Sequence, residues 1–96
     1  PHLQNIFDTE EEVLRKNVKS QSYLLKNQYR LTNREIEIIG YIYKGFRNDD
    51  IAESLGIASN TVKKHIYNMY DKLEVKSRIQ LVNFIYENRL QDLWKI

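Results

Sequence analysis

The sequence predicts an all-α protein, and three features of its 96 residues indicate that fold class. Helix-breaking residues are scarce, since the chain has one proline and three glycines. Residue pairs with the spacing of a capping box recur, each just ahead of an amphipathic run. No stretch alternates apolar and polar residues as a half-buried strand does. We therefore expect a four-helix domain over residues 31–96, preceded by an additional N-terminal helix within residues 1–30.

Composition excludes several classes of protein. A hydrophobic content of 42% suffices for one compact core in a chain of this length. No apolar run approaches the roughly 18 residues of a membrane span, so we expect no membrane contact in this segment. Cysteine is absent, which excludes disulfides and thiolate metal sites and is compatible with a reducing cytoplasm, the expected location. Because the chain opens on Pro1 rather than Met, we expect it to be a piece of a longer protein.

Enzymatic activity finds little support in the sequence. The only histidines are His2 and His65, and neither keeps the spacing of a metal site or a catalytic triad with other suitable residues. Gly40 and Gly45 have the spacing of a phosphate loop, but the Lys and the Ser or Thr that such a loop needs do not follow Gly45. We therefore expect no catalysis, no metal and no cofactor, and a structural role for His65.

The N-terminal helix is the least defined element. Thr9 and Glu12 have capping-box spacing, and a helix follows over about residues 9–29. Positions 11, 14, 18, 21, 25 and 28 keep heptad spacing, but only three of the six are apolar, so a lasting coiled coil is not expected. Whether this helix packs on its own domain or on a dimer mate stays open.

Local signals define the first two helices of the domain. Thr32 and Glu35 form a capping box that begins the first helix, and Gly45 ends it as a left-handed residue. Asn48 is the expected cap of a short second helix, and Gly56 ends that one. These capping and terminating residues therefore predict the bounds of both helices from the local sequence alone.

The third helix, about residues 59–73, carries the pattern that bears on function. Its apolar residues form one stripe, made of Val62, Ile66, Met69 and Leu73. At about 100° per residue, the opposite side of the helix holds a second set, Asn60, Lys63, Lys64 and Tyr67. Residues 59–78 contain five basic and two acidic groups, so the positive excess of the chain collects in this window.

The last helix begins at a capping box of Ser77 and Gln80 and runs through about Leu90, with an extension to Trp94 left open. Its apolar residues lie on two sides. One side holds Ile79, Val82, Ile85 and Tyr86, and the other holds Leu81 and Phe84. A terminal helix of a small domain does not easily bury both sides in its own core, so we expect one of them to pack on a second subunit.

The second and third helices form a helix-turn-helix pattern. Gly56 supplies the turn, Ala52 is small where the helices approach each other, and Ile57 and Val62 fill the angle between them. The major groove of B-DNA admits one α-helix, whose N-terminal residues then meet base edges. The polar side of the third helix is basic in its N-terminal half, as a helix whose N-terminal residues meet DNA requires.

Four sequence elements resemble the LuxR-type, or GerE-type, DNA-binding domain of bacterial transcriptional regulators. They are L-T-x-R-E at 31–35, G-F-x-N-x-x-I-A-x-x-L-G-I at 45–57, T-V-K-x-H at 61–65 and K-L-x-V-x-S-R-x-x-L at 72–81. The resemblance covers residues 31–86 and implies a four-helix domain whose third helix enters the major groove. It also implies that the fourth helix often forms a dimer contact.

The resemblance and the polar face together give candidate site residues. Carried over by position, base-reading sites fall on Lys63, Lys64 and Tyr67, and a phosphate-contacting site falls on Thr61. The full set expected to meet DNA is Asn60, Thr61, Lys63, Lys64, Tyr67, Lys72 and Arg78, where the last two are equally suited to bracing the domain. The set expected at a dimer contact is Leu81, Phe84, Ile85 and Asn88.

The expected partners follow from the same resemblance. They are double-stranded DNA, a second copy of the chain, RNA polymerase as a candidate, and an upstream sensor or receiver domain to which the N-terminal helix would be the connector. The sequence thus predicts the output module of a response regulator or a related transcription regulator.

Three positions depart from the family pattern. Ala58 replaces the usual serine cap of the third helix, so we expect Ser59 to take that role one residue later. Arg47 stands where a Ser or Thr usually caps the second helix, which leaves Asn48 for the task. Glu74 replaces a helix-terminating glycine, and a left-handed backbone there costs energy for a residue with a Cβ.

Two alternatives come from other functional classes. A sigma-factor region-four-like component of RNA polymerase has a similar helix-turn-helix, but the T-V-K-x-H and K-L-x-V-x-S-R elements argue against it. A protein-interaction domain that keeps the fold without binding DNA would use the two-sided last helix as its docking surface.

Overall fold

A computed structural model describes residues 9–94 of the chain. In order, the elements are α1 (Glu10–Asn27), α2 (Asn33–Tyr43), α3 (Asn48–Leu55), α4 (Ser59–Leu73), α5 (Arg78–Glu87) and a short 3-10 helix (Gln91–Trp94). Over that range no residue is in a strand, and no helix is long and apolar enough to cross a membrane. The prediction of an all-α fold with an additional N-terminal helix is confirmed.

The capping boxes that start α2 and α5 form largely as the sequence indicates. The Thr32 hydroxyl accepts the Glu35 N–H at 3.1 Å, and the Glu35 carboxylate accepts the Thr32 N–H at 2.8 Å. Ser77 likewise accepts the Gln80 N–H at 3.1 Å. The Gln80 side chain, however, accepts the N–H of Lys76, one residue before the cap. Both starts satisfy backbone donors that a helix leaves without partners.

The start of α3 differs from the prediction. Arg47, not Asn48, is the residue before the first turn, and its backbone N–H donates to Asp50 Oδ2 at 3.3 Å. Asn48 lies inside the helix, and its Oδ1 accepts a hydrogen bond from Arg78 Nη2 at 3.0 Å. The expected cap is wrong because this tertiary contact with the start of α5 takes the side-chain oxygen.

Four helices, α2 to α5, surround one hydrophobic core. Its fully buried side chains come from every helix of the domain and from α1, and the largest are Leu25, Ile38, Ile39, Ile51, Val62, Met69, Leu81, Ile85 and Leu90. The turn between α3 and α4 has Gly56 in the left-handed conformation, with φ of 66°, and Ile57 N–H donates to the Ala52 carbonyl at 3.0 Å. Ala52 is buried, as its small size at this crossing predicts.

A partly buried ion pair joins the start of α2 to the end of α4. Lys72 Nζ lies 2.7 Å from Glu35 Oε1, and the Glu35 side chain is only 3% exposed. The same ammonium donates to the Arg30 carbonyl at 3.1 Å. Burial acts to raise the pKa of Glu35, but the hydrogen bonds from Lys72 and Thr32 and the charge of Lys72 outweigh it, so the net pKa is lowered.

The middle and C-terminal part of α1 packs on the chain's own C-terminal segment. Gln21 Nε2 donates to the Arg89 carbonyl at 2.9 Å, and Asn17 Nδ2 donates to Asp92 Oδ2 at 3.0 Å. Leu25, one turn further along α1, is 1% exposed within the core. The sequence left open whether this helix packs on its own domain or on a dimer mate. In the structure, α1 packs on its own domain.

The last helix is shorter than predicted. α5 ends at Glu87, and Arg89 adopts a left-handed φ of 55° that turns the chain so that Leu90 enters the core. The 3-10 helix that follows brings Trp94 against α2, where its indole Nε1 donates to the Ile36 carbonyl at 3.1 Å. A Cβ added to Gly40 would lie 2.2 Å from Trp94 Cδ1, so Gly40 is what allows this close approach.

The lowered pKa of Glu35 gives a prediction about acid stability. A carboxylate whose folded pKa lies below its unfolded value stabilises the protein above the unfolded value, and this contribution is lost as pH falls through the folded pKa. We therefore expect the free-energy advantage of the parent over Glu35→Gln to be full well above pH 4.5, the ordinary value, and to shrink as pH falls below it. Urea unfolding from pH 7 to pH 3 measures this difference. As a control, Glu37→Gln removes an exposed carboxylate and should show little of it; equal pH profiles for the parent and Glu35→Gln would contradict the assignment.

The contact between Gly40 and Trp94 predicts a change of sign between two backgrounds. In the parent chain Gly40→Ala should destabilise by roughly 1–3 kcal/mol, because the added methyl group overpacks the indole site. In a Trp94→Ala background the same substitution should stabilise by about 1 kcal/mol, since alanine favours the helix interior over glycine. Thermal unfolding of the four proteins completes this double-mutant cycle. Destabilisation of the same size in both backgrounds would refute the contact.

Candidate nucleic-acid interface

α4 is fixed to the domain by one buried side. Val62 and Met69 are fully buried, Leu73 is 4% exposed, and Ile66 is half-buried between them. Their spacing of four, three and four residues keeps them on one side of a helix with 3.6 residues per turn. The bounds of α4, Ser59 to Leu73, agree with the predicted range.

The opposite side of α4 is open to solvent. Tyr67 is 75% exposed, and its neighbours on that side, Asn60, Lys63 and Lys64, are all exposed as well. Thr61, on the flank of this surface, is also exposed. We call the side chains of Asn60, Lys63, Lys64 and Tyr67 the polar face of α4. It presents hydrogen-bond donors and two positive charges on a rigid element.

The N-terminus of α4 has no side-chain cap. Ala58 occupies the cap position, and the expected cap, Ser59, instead donates its hydroxyl to Asp49 Oδ1 at 2.7 Å. That prediction is wrong because Ser59 ties the start of α4 to the first turn of α3. The first N–H groups of α4 thus lack a side-chain acceptor, a state in which a helix start attracts anions.

Lys72 and Arg78 are held by contacts within the chain. Lys72 donates to Glu35 and to the Arg30 carbonyl, so its ammonium braces α2 against α4. Arg78 is half-buried and donates to Asn48 on α3. Of the two roles that the sequence left open for these residues, the geometry favours bracing for Lys72, whereas Arg78 also borders an open groove.

This groove lies beside α4, between the start of α3 and the start of α5, and has a volume of about 740 Å³. We call it the basic groove; it is lined by Ile42, Gly45, Phe46, Arg47, Asn48, Asp49, Lys63, Arg78, Ile79, Val82 and Asn83. Three cations from different parts of the chain meet in it. Arg47, which replaces the usual Ser or Thr, lines this groove although it was not among the residues that the sequence predicted to meet DNA.

The residues predicted at a dimer contact fall in two places. Leu81 and Ile85 are 0% and 1% exposed in the chain's own core, so the expectation that they meet a second subunit is wrong. Phe84 is half-buried and packs edge-on against Tyr29, with ring centroids 5.4 Å apart. Asn88 is exposed, and its side-chain amide donates to the Phe84 carbonyl.

The other side of α5 is the exposed one. Ile79 is 74% exposed and Tyr86 is 53% exposed, with Val82 half-buried beside them. The sequence grouped Ile85 with these three residues, and that part of the prediction is wrong because Ile85 is buried beside Leu81. The deciding fact is tertiary: α5 directs Leu81 and Ile85, one turn apart, into the core.

The described residues offer no grouping suited to metal chemistry. Over residues 9–94, no cluster of three or more His, Cys, Asp or Glu side chains is placed to hold an ion. His65 is half-buried next to the buried side of α4.

Comparison with known proteins gives one family. The sequence model described as "Bacterial regulatory proteins, luxR family" matches residues 29–85. Among curated proteins, the CsgBAC operon transcriptional regulatory protein of Escherichia coli is 47% identical over 58 residues, which are 60% of this chain and 27% of that protein. The HTH-type transcriptional regulator MalT of Vibrio campbellii is 44% identical over 61 residues, 64% of this chain and 7% of that protein.

The matched region is thus only a small part of those relatives. No solved structure matches the chain at a significant level.

Proposed function

The chain belongs to the LuxR family of bacterial regulatory proteins, and from this premise we propose that its helix-turn-helix domain places α4 in the major groove of a specific DNA sequence. Membership gives the coarser statement, a DNA-binding domain of a transcription regulator. The single observation that supports the finer one is the polar face of α4, which is exposed along the N-terminal half of a helix whose other side is buried.

Each residue of the polar face has a defined chemical use in this proposal. Lys63 and Lys64 donate to guanine O6 and N7 or to phosphate oxygens, and Asn60 can pair with an adenine edge. Tyr67 offers a hydroxyl and an apolar ring. Thr61, on the flank, meets phosphate together with the uncapped N–H groups of α4. The acidic residues Asp71 and Glu74 lie at the far end, where the helix leaves the groove.

We further propose that two copies bind together through the exposed side of α5. That surface is made of Ile79, Val82, Asn83 and Tyr86, and it replaces the buried Leu81 and Ile85 of the sequence-based prediction. A two-fold pair built on this surface would read two half-sites spaced by about one turn of DNA. Phe84 and Asn88 lie outside the centre of this surface.

The chain is proposed to be the output module of a longer cytoplasmic regulator. The match covers 27% of the E. coli relative and 7% of the Vibrio relative, so most of each relative lies outside it. α1 precedes the matched region and would connect the domain to an upstream sensor or receiver domain. RNA polymerase is a proposed partner of the assembled regulator.

Selection of preferred duplexes from a random pool tests DNA recognition directly, and Lys64→Ala tests the polar face. We expect Lys64→Ala to change the preferred sequence, at a cost of about 1–3 kcal/mol for the parent's preferred duplex if Lys64 contacts a base. Lys63→Ala should in addition weaken binding to all duplexes. Lys19→Ala, an exposed lysine on α1, is the matched control and should change neither property. The polar face would be excluded as the DNA contact if Lys63→Ala and Lys64→Ala both bound every duplex as the parent does.

The dimer proposal is tested by placing a charge on the exposed side of α5. Ile79→Glu should lower self-association in sedimentation equilibrium without lowering the thermal midpoint, because Ile79 is 74% exposed and buries little apolar area in the monomer. Val13→Glu places the same charge on an exposed apolar position of α1 and should leave association unchanged. Loss of association in Val13→Glu but not in Ile79→Glu would contradict the proposal and indicate that the dimer interface lies on α1.

A further inference from the structure

Three cations converge on the basic groove from three separate parts of the chain. Arg47 stands in the loop before α3, Lys63 lies in the second turn of α4, and Arg78 begins α5. Because they are far apart in sequence, only the fold brings them together. Lys63 also belongs to the polar face of α4, so the groove and that face are continuous.

The cations of the groove are not neutralised by the acidic residues near them. Across residues 9–94, none of the three takes part in an ion pair. Asp49, the one carboxylate among the lining residues, accepts the Ser59 hydroxyl, and Asp50 accepts the backbone N–H of Arg47 rather than its guanidinium. Three cations against one carboxylate leave the lining with a net charge of +2. A positively charged surface beside the helix proposed to read DNA favours an anionic occupant.

We propose that the cations of the basic groove bind a phosphate of the DNA strand that flanks α4, and that Arg47 is its principal contact. This inference rests on the proposed function. A guanidinium presents two parallel N–H donors that match two phosphate oxygens. Arg78 is held in place by its hydrogen bond to Asn48 and keeps further donors for the same strand.

The apolar lining of the groove does not compete with this occupant. Ile79 and Val82 belong both to that lining and to the surface proposed for dimerisation. The strand would therefore lie between Arg47 and the polar face of α4, and a second copy would lie on the other side. A phosphate contact of this kind fixes where α4 lies along the major groove of the DNA, and it has no base preference of its own.

Fluorescence anisotropy of labelled duplexes at several salt concentrations tests the role of Arg47. We expect Arg47→Gln to lower the slope of log affinity against log salt by about 0.9, the value for one phosphate contact. A decrease of this size in the slope corresponds to roughly fivefold weaker binding near 0.15 M salt. The loss should be equal for a preferred and a random duplex, because the contact does not read bases. Arg47→Lys should keep most of the slope, since it keeps the charge.

The matched control is Arg15→Gln, which removes the same charge from an exposed position on α1 and should leave the slope unchanged. Circular dichroism melting of each variant verifies that the fold is intact. A slope for Arg47→Gln equal to that of Arg15→Gln would overturn the proposal, as would a loss confined to the preferred duplex. A change in self-association with unaltered DNA affinity would show that the groove is a protein interface and would also overturn it.

These outcomes are distinct from failure of the proposed function. If the parent chain bound no duplex with a salt-dependent affinity, the DNA-binding role itself would fail, and the phosphate contact with it. If the parent bound DNA and only the Arg47→Gln slope matched the control, the major-groove role of α4 would stand and the Arg47 contact alone would be lost.

Discussion

The orientation of α4 depends on the partly buried ion pair between Glu35 and Lys72. The carboxylate is almost fully buried, so it requires the ammonium and the Thr32 N–H that hydrogen-bond to it. The pair fixes the C-terminal end of α4 against the start of α2. At the other end, the hydrogen bond from Ser59 to Asp49 fixes α4 against α3. A 15-residue helix, about 22 Å long, is thus held at both ends, and its polar face projects from a rigid support.

The same pair stabilises a strained turn of the backbone. Arg30, Glu74 and Arg89 all have positive φ near 55–60° although none is glycine, and each follows the end of a helix. An L-residue in this conformation costs about 1–2 kcal/mol, which surrounding contacts must offset. The Arg30 carbonyl accepts from Lys72, so the ammonium that satisfies Glu35 also holds the turn between α1 and α2. At Arg89 the carbonyl accepts from Gln21 in the corresponding way.

Local chemistry in the sequence predicted the helices well, and tertiary contacts account for the errors. The Thr32 and Glu35 capping box formed because both partners lie within one turn and need nothing else. Asn48 had the right side chain for a cap, but Arg78, 30 residues away, takes its oxygen. The polar face of α4 was predictable because periodicity decides which side of a helix is apolar. The buried side of α5 was not predicted correctly, because the core takes Leu81 and Ile85 together although the sequence grouped them on different sides. Arg47 was not among the residues that the sequence predicted to meet DNA, because the groove that it lines exists only after folding.

The segments outside the family match are joined to the polar face of α4 by continuous contacts. α1 precedes residue 29, and the segment of Arg89 and the 3-10 helix follows residue 85, yet hydrogen bonds from Asn17 and Gln21 link α1 to that segment. Trp94, at the end of the 3-10 helix, bonds to the Ile36 carbonyl of α2, and α2 is bound to α4 through Glu35. A displacement of α1 relative to the domain must therefore break contacts with a segment that itself supports α2. Because α2 sets the position of α4, α1 and the polar face are parts of one packed structure rather than two bodies joined by a free linker.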